Sequence, residues 1–305
     1  MSPLLAVLRA RRRATGPSTT GPSALRRRGV VVVAVLAGLA TVAGSAAAAA
    51  SPAASAGSTA AAVTCPRKLV AAGDMNHQPD TRATGSLARA QHPNLVLTLG
   101  DQQYPDGSLA DYQRVYDTTP WGRLKPKTRP VPGHHEYMTP GASGYFAYFG
   151  RPSYYAYSIG CGWRGYALNS LIAVAPQVSW LTSDLAAHKG QRVVVSFSDP
   201  RYSSGTKHGG EPLMQPFWDA LAGRKGVILN GHEHNYERFA AINRLREFVV
   251  GTGGSATYPF GPPASGSLKR ITGHPGVLVL SLRSGGGYSW RFLAVGGAVL
   301  DSGHG

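Results

Sequence analysis

The chain is short of cysteine, of acid and of long apolar runs, and each shortage excludes something. It has 2 cysteines in 305 residues, Cys65 and Cys161. No C-x-x-C pair occurs, so a dithiol redox role is not indicated. A disulfide between the two is permitted if the protein is exported, and it would tether the start of the mature chain. Acidic residues number 15 against 31 Lys and Arg, and none falls in residues 1–63. No apolar run reaches the ~20 residues that a transmembrane helix needs. The basic residues do not form Lys/Arg runs interleaved with aromatics, so no nucleic-acid specificity is evident.

What the first 63 residues do contain is ordered. Arginines at 9, 11–13 and 26–28 precede the apolar run "GVVVVAVLAGLATVAG", and the small-residue tract "SAAAAASPAASAGSTAAA" follows. A basic region, a short apolar region and A-x-A-like small residues read as a secretory signal with an Ala-rich linker. "RRGVV" loosely matches a twin-arginine signal. The expectation is secretion, with no stable membrane insertion once the signal is cleaved; a single uncleaved anchor is the other reading. Discounting those seven arginines leaves 24 basic against 15 acidic side chains, about +9. A moderately basic exported chain is suited to phosphorylated small molecules or anionic polymers, although solubility alone accounts for such a charge.

Residues 64–305 show no internal repeat and no linker, and read as one domain. Apolar runs at 68–74 ("KLVAAGD"), 94–101 ("NLVLTLGD"), 191–200 ("QRVVVSFSDP") and 225–234 ("KGVILNGHEH") read as strands buried on both faces. Helix-like segments lie between them: "SLARAQ" after Gly85, "SLADYQRVY" from Ser108, "QVSWLTSDLAAH" from Gln177 and "MQPFWDALAG" from Met214. This alternation predicts an α/β fold. "YYAYSIGCGWRGYALN" and the Gly-rich "GVLVLSLRSGGGYSWRFLAV" read as hairpins.

Several strands end in Gly followed by a metal-ligand type: Gly73-Asp74, Gly100-Asp101 and Gly231-His232. In α/β sheets, sites collect beyond the carboxyl ends of the strands. Glycine there permits a sharp turn and lets an ion or phosphate approach the backbone. Asp74, Asp101, His232 and His234 suit Fe, Zn or Mn better than Cu(I) or Ca²⁺. In "GHEH" the histidines stand at i and i+2, which an extended backbone turns to one side. Tyr104, three residues after Asp101, reads on its own as a packed aromatic; beside the two aspartates it would add a phenolate, which favours a trivalent ion.

In order along the chain, "GDMN", "GDQQY", "GHHE", "VSFSDPRYSSG" and "GHEHNYERF" resemble the calcineurin-like metallophosphoesterase superfamily, most closely its purple-acid-phosphatase branch of secreted bacterial type. The resemblance covers about residues 68–300. It implies a four-layer α/β sandwich, two mixed β-sheets flanked by helices, with two metal ions, iron paired with iron, zinc or manganese. The first ion would take Asp74, Asp101, Tyr104 and His234. Asp101 would bridge to the second, which would also take His232, the residue at the family's asparagine position and the Val-x-x-His histidine. The chain departs at both of these last positions: they hold His134 and Ser198, so the second site has lost one sure donor. Asp199 is a possible substitute ligand; the competing reading is a turn residue before Pro200.

In that family, a hydroxide held by two ions roughly 3.5–4 Å apart attacks phosphorus in line, and a histidine protonates the leaving oxygen. By motif position that histidine is His135, while Glu136 reads as a supporting or structural residue. Arg201 and Arg238 are open to two readings, phosphate contacts or structural salt bridges. The leading expectation is a secreted phosphomonoesterase. The alternatives are a catalytically impaired relative that binds metal or phosphate ligands, and a phosphodiesterase or pyrophosphatase on the same site. The stretch "NSLIAVAPQVSW" is shorter than the family's loop there, which lines the substrate entrance.

Overall fold

A computed structural model of the chain describes residues 64–76 and 79–305; the signal and linker expected in 1–63 lie outside them. Among the described residues, thirteen strands form two mixed sheets. The first sheet holds β1 (Arg67–Ala72), β2 (Leu95–Leu99), β3 (Thr128–Val131), β11 (Gly276–Leu282), β12 (Tyr288–Ala294) and β13 (Val299–His304), in the order β13-β12-β11-β1-β2-β3. The second holds β4 (Tyr155–Gly160), β5 (Trp163–Ala167), β6 (Arg192–Ser196), β7 (Gly226–Asn230), β8 (Tyr236–Phe239), β9 (Leu245–Val250) and β10 (Ser267–Ile271), in the order β10-β8-β9-β7-β6-β5-β4. Strands β1, β2 and β3 run parallel to one another, as do β5, β6, β7 and β9.

The apolar runs explain the layering. Along a strand, successive side chains point to opposite faces, so a run without polar residues feeds two cores at once. On β1, Leu69 and Ala71 enter the core between the sheets, while Val70 and Ala72 enter the outer one. On β7, Val227 and Leu229 face inward and Ile228 outward. Burying each such side chain contributes about 1.5–3 kcal/mol. The outer face of the first sheet is covered by α1 (Pro79–Ala90), α2 (Leu109–Arg114) and α3 (Ser143–Phe149), through Ala88, Tyr112, Tyr145 and Tyr148. The second is covered by α4 (Val174–Ala187) and α5 (Gln215–Ala220), through Leu181, Leu185, Phe217 and Trp218. The result is the helix–sheet–sheet–helix sandwich.

Cys65 and Cys161 form a disulfide, so the lead-in to β1 is tied to the β4–β5 turn. Pro130 sits in β3, the edge strand, where a missing ladder donor is tolerated. Helix α1 begins six residues before Gly85, earlier than its apolar residues suggest. It buries small residues, Thr81, Thr84, Gly85 and Ala88, at helical spacing. A Cβ on Gly85 would come within 2.8 Å of Trp121 Cδ1, so this helix packs by close approach and not by a greasy stripe.

Candidate metal centre

Because the central strands of each sheet are parallel, their carboxyl ends open onto one rim. Asp74 follows β1, Asp101 and Tyr104 follow β2, His134 and His135 follow β3, Ser198 and Asp199 follow β6, and His232 and His234 follow β7. The turns are made by the candidate residues themselves. Asp74 (φ 63°), Asp101 (φ 51°) and His232 (φ 68°) adopt left-handed backbone, which non-glycine residues enter at a cost. The preceding glycines serve a different need. A Cβ on Gly231 would meet Leu99 O at 2.5 Å and Asp74 Oδ2 at 2.8 Å, so glycine lets the strand ends crowd together. The extended geometry expected for "GHEH" is not what forms. His232 N donates to Asp74 Oδ2 at 2.9 Å, the segment bends, and its two imidazoles reach different halves of the rim.

One half joins Asp74, Tyr104 and His234. His234 Nε2 lies 3.2 Å from Asp74 Oδ1 and 3.3 Å from the Tyr104 hydroxyl. Its Nδ1–H donates to Ala256 O at 2.9 Å, which fixes the tautomer and leaves Nε2 facing the carboxylate. Burial works against a proton on this ring, but Asp74 outweighs it and carries the pKa up. Burial, then Asp74 and Asp101, push the Tyr104 phenol well above its ordinary value, so phenolate character there requires a cation.

The other half gathers Asp101, His134 and His232, whose ligand atoms all lie within 4.8 Å of one another. The His134 and His232 rings stack at 4.3 Å and 20°. Asp199 Oδ1 stands 3.5 Å from His134 Nδ1 and 3.8 Å from His232 Nε2. Burial and the neighbouring imidazoles drive His232 down to about 2, and burial lowers His134, so both rings are neutral as ligands must be. Burial raises Asp199 to about 7, against the lowering effect of a side-chain hydrogen bond with Ser170. Ser198 is fully buried and its Oγ has no hydrogen bond.

These groups fit metal ions. Asp101 is raised well above the carboxylate range by burial and by the charges of Asp74 and Glu136. Asp74 Oδ1 and Asp199 Oδ1 are buried without a hydrogen bond, and their near neighbours are imidazole nitrogens. Among the described residues, no Lys or Arg ion pair reaches this rim. Oxygen and imidazole donors gathered in that way want a cation from outside the chain.

His135 stands beside both halves. Its backbone N–H donates to Asp101 Oδ1 at 2.8 Å, its ring packs on Tyr104 at 3.8 Å, and its Nδ1–H donates to Pro105 O at 2.5 Å. That leaves Nε2 as the nitrogen available to a ligand. Glu136 supports the rim from beneath. It accepts the backbone N–H groups of Asp101, Gln102, Gln103 and Gly133 and the Tyr112 hydroxyl.

The arginines are engaged elsewhere. Arg238 grips Asp301 through Nε (2.7 Å) and Nη2 (3.1 Å), the structural salt bridge of its two readings. Arg201 lies over Tyr202 and donates from Nε to Gln215. Sequence reasoning passed over His208 and Tyr258. His208 lies 3.9 Å from the His232 ring and Tyr258 stacks on His234 at 4.1 Å. Glu233, the buried residue between the two rim histidines, explains the first placement, since its carboxylate accepts the N–H groups of His208 and Gly209. The stretch after β5 reaches the rim through Ser170, and with Leu213 and Met214 it lines an apolar groove of about 620 Å³.

No family model matches the chain. Purple acid phosphatase 15 of Arabidopsis thaliana is 29% identical over 247 residues, covering 62% of this chain and 45% of that protein. The chain spans about half the length of the curated relatives it matches. A purple acid phosphatase from yellow lupin (Lupinus luteus) seeds superposes with a TM-score of 0.65 at 16% identity, over 79% of this chain and 54% of its own. A dimetal phosphatase from Danio rerio does so with a TM-score of 0.56 at 13% identity, over 79% and 99%. With the sandwich and its strand-end residues, these likenesses give the chain the metallophosphoesterase fold and make it similar in sequence to purple acid phosphatases.

Proposed function

We propose that the chain is an exported, metal-dependent phosphoesterase that hydrolyses phosphate monoesters. The observation that carries this is the convergence of Asp74, Asp101, Tyr104, His134, His232 and His234 from four strand ends onto one rim. Asp74, Tyr104 and His234 would hold one ion, His134 and His232 a second, and Asp101 both; iron is assigned to the first, with iron, zinc or manganese in the second. When bound, the pair would polarise the phosphoryl oxygens and offset the charge that builds on them.

The chain's own groups do the rest. Asp101 is held in place by the His135 N–H, and Glu136 accepts the backbone N–H groups of Asp101 and of Gly133, two residues before His135. His135 Nε2 is placed to protonate the leaving oxygen, with Nδ1–H anchored on Pro105 O. The substrate class is a phosphorylated small molecule or polymer.

Expressing residues 64–305, measuring bound metal and comparing p-nitrophenyl phosphate with bis(p-nitrophenyl) phosphate tests this reading. Metal-dependent turnover that prefers the monoester supports it. Preference for the diester moves the assignment to a phosphodiesterase. A folded preparation that turns over neither ester with added Fe, Zn or Mn leaves only a binding role.

A further inference from the structure

The second half of the rim lacks an imidazole at position 198, yet it is not short of a donor. Ser198 Oγ packs against Gly100, 2.6 Å from where a Cβ would stand, so it is turned into the strand ends. The next residue behaves differently. A turn residue in front of a proline ordinarily bonds a nearby backbone N–H or faces water. The Asp199 side chain is 9% exposed, and its Oδ1 is buried with no hydrogen bond. Instead that oxygen faces His134 Nδ1 at 3.5 Å and His232 Nε2 at 3.8 Å. Donors about 2.1 Å from one tetrahedral ion stand roughly 3.4 Å apart. Both separations from Asp199 Oδ1 are too long for good hydrogen bonds, but close to the spacing of two donors on one ion. The backbone fixes this aim: Asp199 N donates to Ser170 Oγ at 3.2 Å, and Glu211 N closes the following loop on Pro200 O at 2.7 Å.

We propose that Asp199 supplies the fourth protein donor of the second ion site, through Oδ1, in place of an imidazole at position 198. The inference rests on the two-ion reading above. It makes that site Asp101, His134, His232 and Asp199, two carboxylates and two imidazoles. Exchanging an imidazole for a carboxylate adds an oxygen donor and a negative charge. The site should then favour Mn²⁺ or Fe²⁺ relative to Zn²⁺, compared with a site of one carboxylate and three nitrogens.

The test is metal binding by the full chain, stripped with chelator and then titrated with Mn²⁺ by calorimetry. The wild type should take up two ions per chain, and Ser198→Ala should do the same. Asp199→Asn should bind its second Mn²⁺ at least tenfold more weakly while its chelated form melts no lower than the wild type. Asp199→Cys, a soft donor at the same place, should recover the second ion with Cd²⁺ or Zn²⁺ but not with Mn²⁺. A residue with only a structural role would show no such exchange of preference. The proposal is overturned if both Asp199 variants bind Mn²⁺ as the wild type does, or if Ser198→Ala loses an ion. A wild type that holds a single ion overturns it too while leaving a one-ion enzyme; a wild type that holds none removes the functional reading itself.

Discussion

Buried carboxylates occur at the strand-end rim and at the outer edge of the first sheet, and they are treated in opposite ways. At the edge, Asp301 on β13 is enclosed by donors from the chain: Arg238 Nε at 2.7 Å, the Tyr236 hydroxyl at 2.7 Å and Trp290 Nε1 at 3.1 Å. At the rim, Asp74 and Asp199 each keep a buried oxygen without a hydrogen bond, and Asp101 is raised by burial and then by the carboxylates of Asp74 and Glu136. A charge that only holds a fold together is given its counter-charge by the fold. Among the described residues Asp74, Asp101 and Asp199 have no Lys or Arg partner and only imidazoles beside Asp74 and Asp199, the contrast that the proposed metal role would explain.

The largest effect should come from Asp101→Asn. Loss of the carboxylate between the two halves should lower monoester turnover by roughly a thousandfold or more, read as kcat. The same variant should make the chelated chain more stable by about 1–2 kcal/mol in denaturant, since a repelled buried charge is gone while the amide oxygen still accepts the His135 N–H. A chelated variant less stable than wild type would mean that the rim does compensate its own charge. Glu136→Gln sharpens the comparison from within the rim, because Glu136 is a carboxylate that the chain does satisfy. An amide puts donors where backbone N–H groups already point, so the loss should be about 2–4 kcal/mol in the same denaturant experiment, with metal or without.

How much of this was legible depends on range. The central strands announced themselves because a run buried on both faces needs no partner to be recognised, and the Gly-Asp and Gly-His pairs marked their ends. Strand β3 carries Pro130 and only four residues, so nothing local distinguishes it from a loop; its edge position, which makes the proline harmless, is a property of the sheet. Helix α1 packs by smallness, and smallness leaves no apolar period to read. "GHEH" was legible as two ligand-type side chains but not as a bend, because the left-handed turn at His232 is fixed by its bond to Asp74, 158 residues away. His208 was invisible for a similar reason: its loop is placed by Glu233, 25 residues on. Chemistry was readable from residue types, whereas direction required the contacts.

The smallest effect belongs to the scaffold side, and there the sign is the informative part. Burial alone would push the Asp301 carboxyl up, but hydrogen bonds from Arg238, Tyr236 and Trp290 hold it below the usual range. The folded state thus binds this proton less readily than the unfolded chain, where the pKa is about 3.9. Its contribution to stability is fully present above that value and disappears as pH falls through the lower, folded one. Asp301→Asn should therefore cost about 1–2 kcal/mol at pH 7, where wild type gains charge-assisted bonds the amide cannot match. Denaturant titrations of both proteins from pH 7 down to pH 2, each held free of metal, should show the gap constant to about pH 5 and narrowing below pH 4. A gap that is unchanged at pH 2 would assign Asp301 a role of shape and not of charge, and the contrast with the rim would lose its scaffold half.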